Sequence, residues 1–179
     1  MDWYTAVKFL HVSAAIIWIG GAFIMVMFGV KAARSRNDAE MVAVVQQVGW
    51  AAERIYVPAS IATALLGIIV ATIGNLWSAL WVSLGLVGMV VTIALGVLAL
   101  TPRAKKVEAA GAVTAESVAI SREILTLAKF DLVLLFVVVS DMVLKPGMSD
   151  YGILIAMAVV LVVGAALWVL PALRRPAVA

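Results

Sequence analysis

Apolar positions in this chain do not alternate with polar ones; they run together in long blocks. Phe9–Val30, Ile55–Ile73, Ala79–Leu100, Leu125–Leu144 and Tyr151–Leu170 each reach the roughly 20 mostly apolar residues that a helix needs to cross a hydrocarbon core. Blocks of this length and continuity are too long for membrane strands, which are shorter and alternate. The pattern predicts an all-α fold: a polytopic transmembrane helix bundle of five spans. Gly74, Asn75, Leu76, Trp77 and Ser78 have turn composition, so the second and third spans form an antiparallel hairpin.

Between the blocks lie two polar stretches, Lys31–Ala52 and Pro102 to about Arg122. Both read as partly helical. Met41, Val44, Val45 and Val48 recur at helical spacing, which predicts an amphipathic helix at the membrane interface leading into the second span.

Composition places the chain in the bilayer. Hydrophobic residues are 65% of its 179 positions and charged residues 13%, whereas soluble domains are about a quarter charged. The absence of cysteine excludes disulfides, thiolate metal sites, iron–sulfur clusters and thioether-attached haem within the chain. A net charge of +3 is no nucleic-acid signature, because the basic residues flank the spans.

Their positions predict orientation, since basic residues in short loops stay on the cytoplasmic side. Lys31, Arg34, Arg36 and Arg54 flank one connection, and Arg103, Lys105, Lys106, Arg122 and Lys129 flank another; Arg174 and Arg175 end the chain. Eleven of the thirteen Lys and Arg thus fall on one side. Lys8 and Lys145 lie opposite, near span ends where long side chains snorkel. The N-terminus is expected outside and the C-terminus inside, in a multi-pass protein of the bacterial cell inner membrane. Met1-Asp2-Trp3-Tyr4 lacks the basic start of a signal peptide. Trp3, Tyr4, Trp77, Trp81 and Tyr151 form an outer aromatic belt, and Trp50, Tyr56 and Trp168 an inner one.

Ionisable residues inside a span are costly and mark candidate functional positions. His11, Asp131 and Asp141 are such residues. His11 shares a stripe with Ala15, Trp18, Ala22, Met25 and Gly29; Asp131 shares one with Leu135, Val138, Met142 and Lys145. Asp141, one turn before Lys145, is placed to pair with it, and Asp131 to be neutralised by Arg54 at the start of the second span or by Arg122. His11 and Asp141 both lie roughly 7–10 Å inside the outer boundary at 1.5 Å per residue, within reach of each other if spans one and four are neighbours. Ser60, Ala64, Gly67 and Ala71 on the second span, and Gly85, Gly88, Met89, Thr92 and Gly96 on the third, form small-residue faces for close packing. The fifth span has no polar stripe and is expected at the periphery.

Lys8-Phe9-Leu10-His11, Ile17-Trp18-Ile19-Gly20-Gly21, Glu53-Arg54 with Pro58 and Gly67, Pro102-Arg103, Phe130-Asp131-Leu132 and Asp141-Met142-Val143-Leu144-Lys145-Pro146 together resemble the predicted integral membrane proteins called domain of unknown function 2269. The resemblance covers about residues 1–147, a four-span core; residues 148–179 form a fifth span with a basic tail. It implies architecture rather than activity. The histidine with Trp-x-Gly-Gly is more distantly similar to copper-resistance D membrane proteins and to haem-binding protoporphyrinogen oxidases of the J type.

That similarity motivates haem b or copper as cofactor, with His11 as ligand, Met142 or Met89 as a second, and Asp141 orienting the imidazole. One histidine per chain excludes bis-histidine haem within it. Three functions follow: a structural or accessory protein, as a homo-oligomer or subunit of a larger membrane complex, in which Asp131, Asp141, Lys145 and Arg54 form an intramembrane polar network; a haem or copper site at His11; or a proton-coupled carrier. The residues offer no nucleophile-and-base constellation for a hydrolase.

Overall fold

The structure is a computed structural model, described over residues 2–174; Arg175, expected in the basic tail, lies outside them. It is helical from end to end: α1 (Trp3–Ser35), α2 (Asp38–Ala51), α3 (Val57–Ile73), α4 (Leu80–Leu95), α5 (Thr101–Ala110), α6 (Ala115–Leu144), α7 (Tyr151–Gly164) and α8 (Leu170–Arg174). Short π-helical turns at Ala52–Tyr56, Gly96–Leu100 and Ala165–Val169 join α2 to α3, α4 to α5 and α7 to α8 without a break.

Local chemistry sets the boundaries. The Asp2 side chain accepts from the Thr5 N–H at 2.6 Å and starts α1; that bond holds its carboxyl below the usual carboxylate range. Asn37 caps α2, and Thr114 with Ser117 forms a reciprocal capping box on α6. Lys145, in the left-handed region at φ 49°, ends α6, and Pro146 cannot resume it.

Among the described residues, four continuous helices are long and apolar enough to cross a membrane: Trp3–Ser35, Asp38–Ile73, Leu80–Ala110 and Tyr151–Ala172. Leu125–Leu144, expected as a further span, is part of α6. Its apolar stretch carries Lys129, Asp131 and Asp141, so length and composition alone do not place it with the other four. The predicted amphipathic helix is α2, but it does not keep its apolar side for a membrane surface. Val42 and Val45 pack with Val107 of α5 and Val118 and Ile124 of α6. Met41 packs with Val26 and Ala32 of α1 and Leu125 of α6.

Three antiparallel pairings order the bundle. Along α1 and α3, Tyr4 meets Gly74, His11 meets Gly67 and Thr63, and Trp18 meets Tyr56. Along α1 and α6, Gly29 meets Leu125, and Trp18 and Ala22 pack with Leu135. Along α4 and α6, Gly85 lies under Met142, Gly88 under Val138, and Thr92 meets Asp131. α6 is thus the central helix, and α7 packs on it, Gly164 lying against Phe130 and Val133. Many large apolar side chains point outward, Phe9, Ile16, Val90 and Val162 among them, as lipid-facing positions would.

The close approach of α4 to α6 needs glycine. A Cβ on Gly88 would run into Cγ2 of Val138, a β-branched side chain with little rotamer freedom. Gly88→Leu is expected to lower stability by about 1–3 kcal/mol, the usual cost of overpacking, measured by denaturant unfolding in mild detergent; unchanged stability would show that the two helices do not pack this closely.

Candidate functional site

Asp131 is 5% exposed and sits midway along α6, level with Ala22 of α1. Two hydroxyls hold it. Thr92 of α4 donates to Oδ1 at 2.9 Å, and Tyr56, in the π-helical turn before α3, donates to Oδ2 at 3.3 Å. The Tyr56 ring in turn meets Trp18 of α1 edge-on, with centroids 6.0 Å apart. One carboxylate therefore ties together α6, α4 and the α2–α3 junction. Arg54 does not neutralise it as expected: its guanidinium lies 4.8 Å from the Trp50 ring centroid. The cause is local, since Trp50 lies one turn before Arg54 on the same helical face. Arg122 instead bonds Asp38 at 3.3 Å.

A cavity of about 600 Å³ leads to this carboxylate. Its walls come from α1, α2, the α2–α3 junction, α5 and α6, with Ala22, Val26, Met41, Val45 and Leu125 as apolar lining. Charged and exposed Glu53, Arg54, Lys105 and Glu108 stand on the side facing the basic loops. Asp131 and Tyr56 line the deep end, about 10 Å along α6 from Ile124 at 1.5 Å per residue.

Asp141 is 1% exposed, and neither of its carboxyl oxygens has a hydrogen-bond partner among the described residues. It lies against Gly85 of α4. The expected pair with Lys145 is not formed, because the left-handed cap turns Lys145 away and its ammonium sits 5.4 Å from the Trp81 ring centroid. Lys8 makes the same kind of contact with Tyr4, so both cations at this end rest on aromatic faces.

His11 is half-buried on α1, and its Nδ1–H donates to the Thr63 carbonyl of α3 at 2.9 Å, which leaves Nε2 as the free ring nitrogen. Gly67 lets the ring in, since a Cβ there would lie 3.0 Å from its Cε1. Met142 packs on Gly85 of α4. Two turns along the α1–α6 pairing from Trp18 and Leu135, His11 and Met142 come level. The contacts of each are nonetheless with a different neighbouring helix. Among the described residues, no three His, Cys, Asp or Glu side chains gather as a metal would require.

Sequence reasoning selected Asp131 but missed both its partners. Thr92 appeared only as a small residue on α4, and Tyr56 as an interfacial aromatic. The available signal was that Tyr56 follows Arg54 by two residues and so points away from the solvent side that Arg54 takes.

No curated protein and no solved structure matches the chain. The profile of the family described as predicted integral membrane protein, DUF2269, matches residues 5–146, from just after the cap of α1 to the proline that follows α6. The chain is thus a multi-pass membrane protein and belongs to the DUF2269 family.

Proposed function

We propose that this protein is a five-span structural or accessory component of a bacterial inner membrane, its N-terminus outside and its C-terminus inside, assembled as a homo-oligomer or within a larger membrane complex. Residues 1–147 make the four-span core, and residues 148–179 add a final span and basic tail. The carrying observation is the three-way fastening at Asp131, with Thr92 and Tyr56 as donors. Intramembrane polar groups used in this way hold helices in register. His11 acts similarly, joining α1 to α3 through Thr63.

A second reading, haem b or copper bound by His11 with Met142, is favoured by the free Nε2 and by the shared level of the two residues. The Nδ1–H bond to a carbonyl is the arrangement that orients a ligating imidazole. A proton-coupled carrier involving Asp131, Asp141 and His11 ranks below both, because carriers build their sites from repeats and helices broken at mid-depth.

Two measurements test these readings. An absorption spectrum with metal analysis of protein purified from haem- and copper-supplemented cells is expected to be featureless and metal-free; a Soret band or stoichiometric copper that His11→Ala abolishes would replace the structural reading with the cofactor one. Tyr56→Phe and Thr92→Val are each expected to lower unfolding stability in detergent by about 0.6–1.7 kcal/mol, the range for interhelical hydrogen bonds in membranes. Wild-type stability in both variants would remove Asp131 as a fastener.

A further inference from the structure

Fastening three helices does not require a cavity, yet the Asp131 carboxylate lines the deep end of one. At about 600 Å³ it has the size of a small-molecule pocket, a few hundred to about 1,000 Å³. Its chemistry is asymmetric. The walls are apolar, while the one ionisable group at the deep end besides the Tyr56 phenol is acidic. That carboxylate receives neutral hydroxyl donors, and among the described residues no Lys, Arg or His lies within 4 Å of it. Arg54, the nearest expected counter-ion, is engaged with Trp50.

At the mouth the charges are mixed, Glu53 and Glu108 with Arg54 and Lys105, and so do not select by sign. Selection rests with Asp131. A buried carboxylate without a cation attracts a positive charge strongly in a low-dielectric setting and repels an anion to the same degree. The Tyr56 ring adds an aromatic surface beside it, which also suits a cation.

We propose that this cavity is a binding site for an organic monocation with an apolar body, such as a protonated or quaternary amine, its charge against Asp131 and its body against the walls of α1, α2 and α6. The two hydroxyl bonds position the carboxylate. This assignment stands apart from any role of His11.

The test uses the full chain in nanodiscs of zwitterionic phospholipid, with tetraphenylphosphonium as probe and tetraphenylborate, similar in shape and opposite in charge, as control; uptake by empty discs is subtracted. Saturable binding of about one phosphonium per chain is expected, as a pocket of this size holds one such molecule, without saturable borate binding. Asp131→Asn keeps the shape and is expected to weaken binding by about tenfold or more, the low end for loss of a buried charge partner. Gly49→Phe guards against a fold defect in that variant. Gly49 lines the cavity and a Cβ there meets nothing within 4 Å, so a side chain at this position starts in open space; the added bulk is expected to weaken phosphonium binding while the protein melts as wild type. Absence of saturable phosphonium binding to the wild type, equal binding by Asp131→Asn, or equal binding of the borate would each overturn the assignment.

Discussion

Asp131 is a carboxylate among apolar helices that two hydroxyls satisfy from two directions, whereas Asp141 on the same helix has no such donor among the described residues. Thr92 reaches it because Gly85 and Gly88 bring α4 close to α6. Tyr56 reaches it because the π-helical turn at Ala52–Tyr56 changes the phase between α2 and α3; such turns often mark functional positions. Removing either donor takes one of two interhelical hydrogen bonds from a carboxylate that is 5% exposed. The register of α6 against its neighbours follows from this constraint. Trp18, wedged between Tyr56 and Leu135, carries the constraint to α1.

The two ends of the bundle differ in consequence. At the end away from the basic loops, helices meet through small residues and single fastenings: Tyr4 on Gly74, His11 on Gly67, Met142 on Gly85. At the basic end, α2 and α5 continue the second and third apolar helices and surround the first half of α6, with valines in a compact core. Arg103–Glu123 at 3.1 Å and Arg122–Asp38 at 3.3 Å tie α5 and α2 to α6, though a pair as exposed as Arg122–Asp38 contributes at most about 1 kcal/mol. The cavity lies where these two packing regimes meet.

Helical architecture was legible because the hydrophobic blocks are long and unbroken, and the stripe from His11 to Gly29 was legible because small and aromatic residues recur at helical spacing. Trp18, Ala22 and Gly29 are indeed buried. Partnership was not legible. Sequence distance and charge paired Asp131 with Arg54 and Asp141 with Lys145, but an aromatic ring beside each cation took it instead. Hydroxyl donors carry no charge pattern, so Tyr56 and Thr92 left no trace that charge counting detects. The role of α2 was missed for a similar reason: an amphipathic face reads the same whether it meets lipid or protein.

α6 is the helix on which the whole arrangement turns. Its apolar block marks it as a span although it carries Lys129, Asp131 and Asp141, of which Asp131 is held by Thr92 and Tyr56; the five-span proposal has it cross the membrane. The chain has no cysteine, so single cysteines at exposed Val113, just before α6, and at Met148, just after it, can be labelled in intact cells with a membrane-impermeant maleimide. Labelling at Met148→Cys, with Val113→Cys protected until the cells are opened, is the predicted result. Labelling of both from the same side would contradict a membrane-spanning α6 and the fastening built around Asp131.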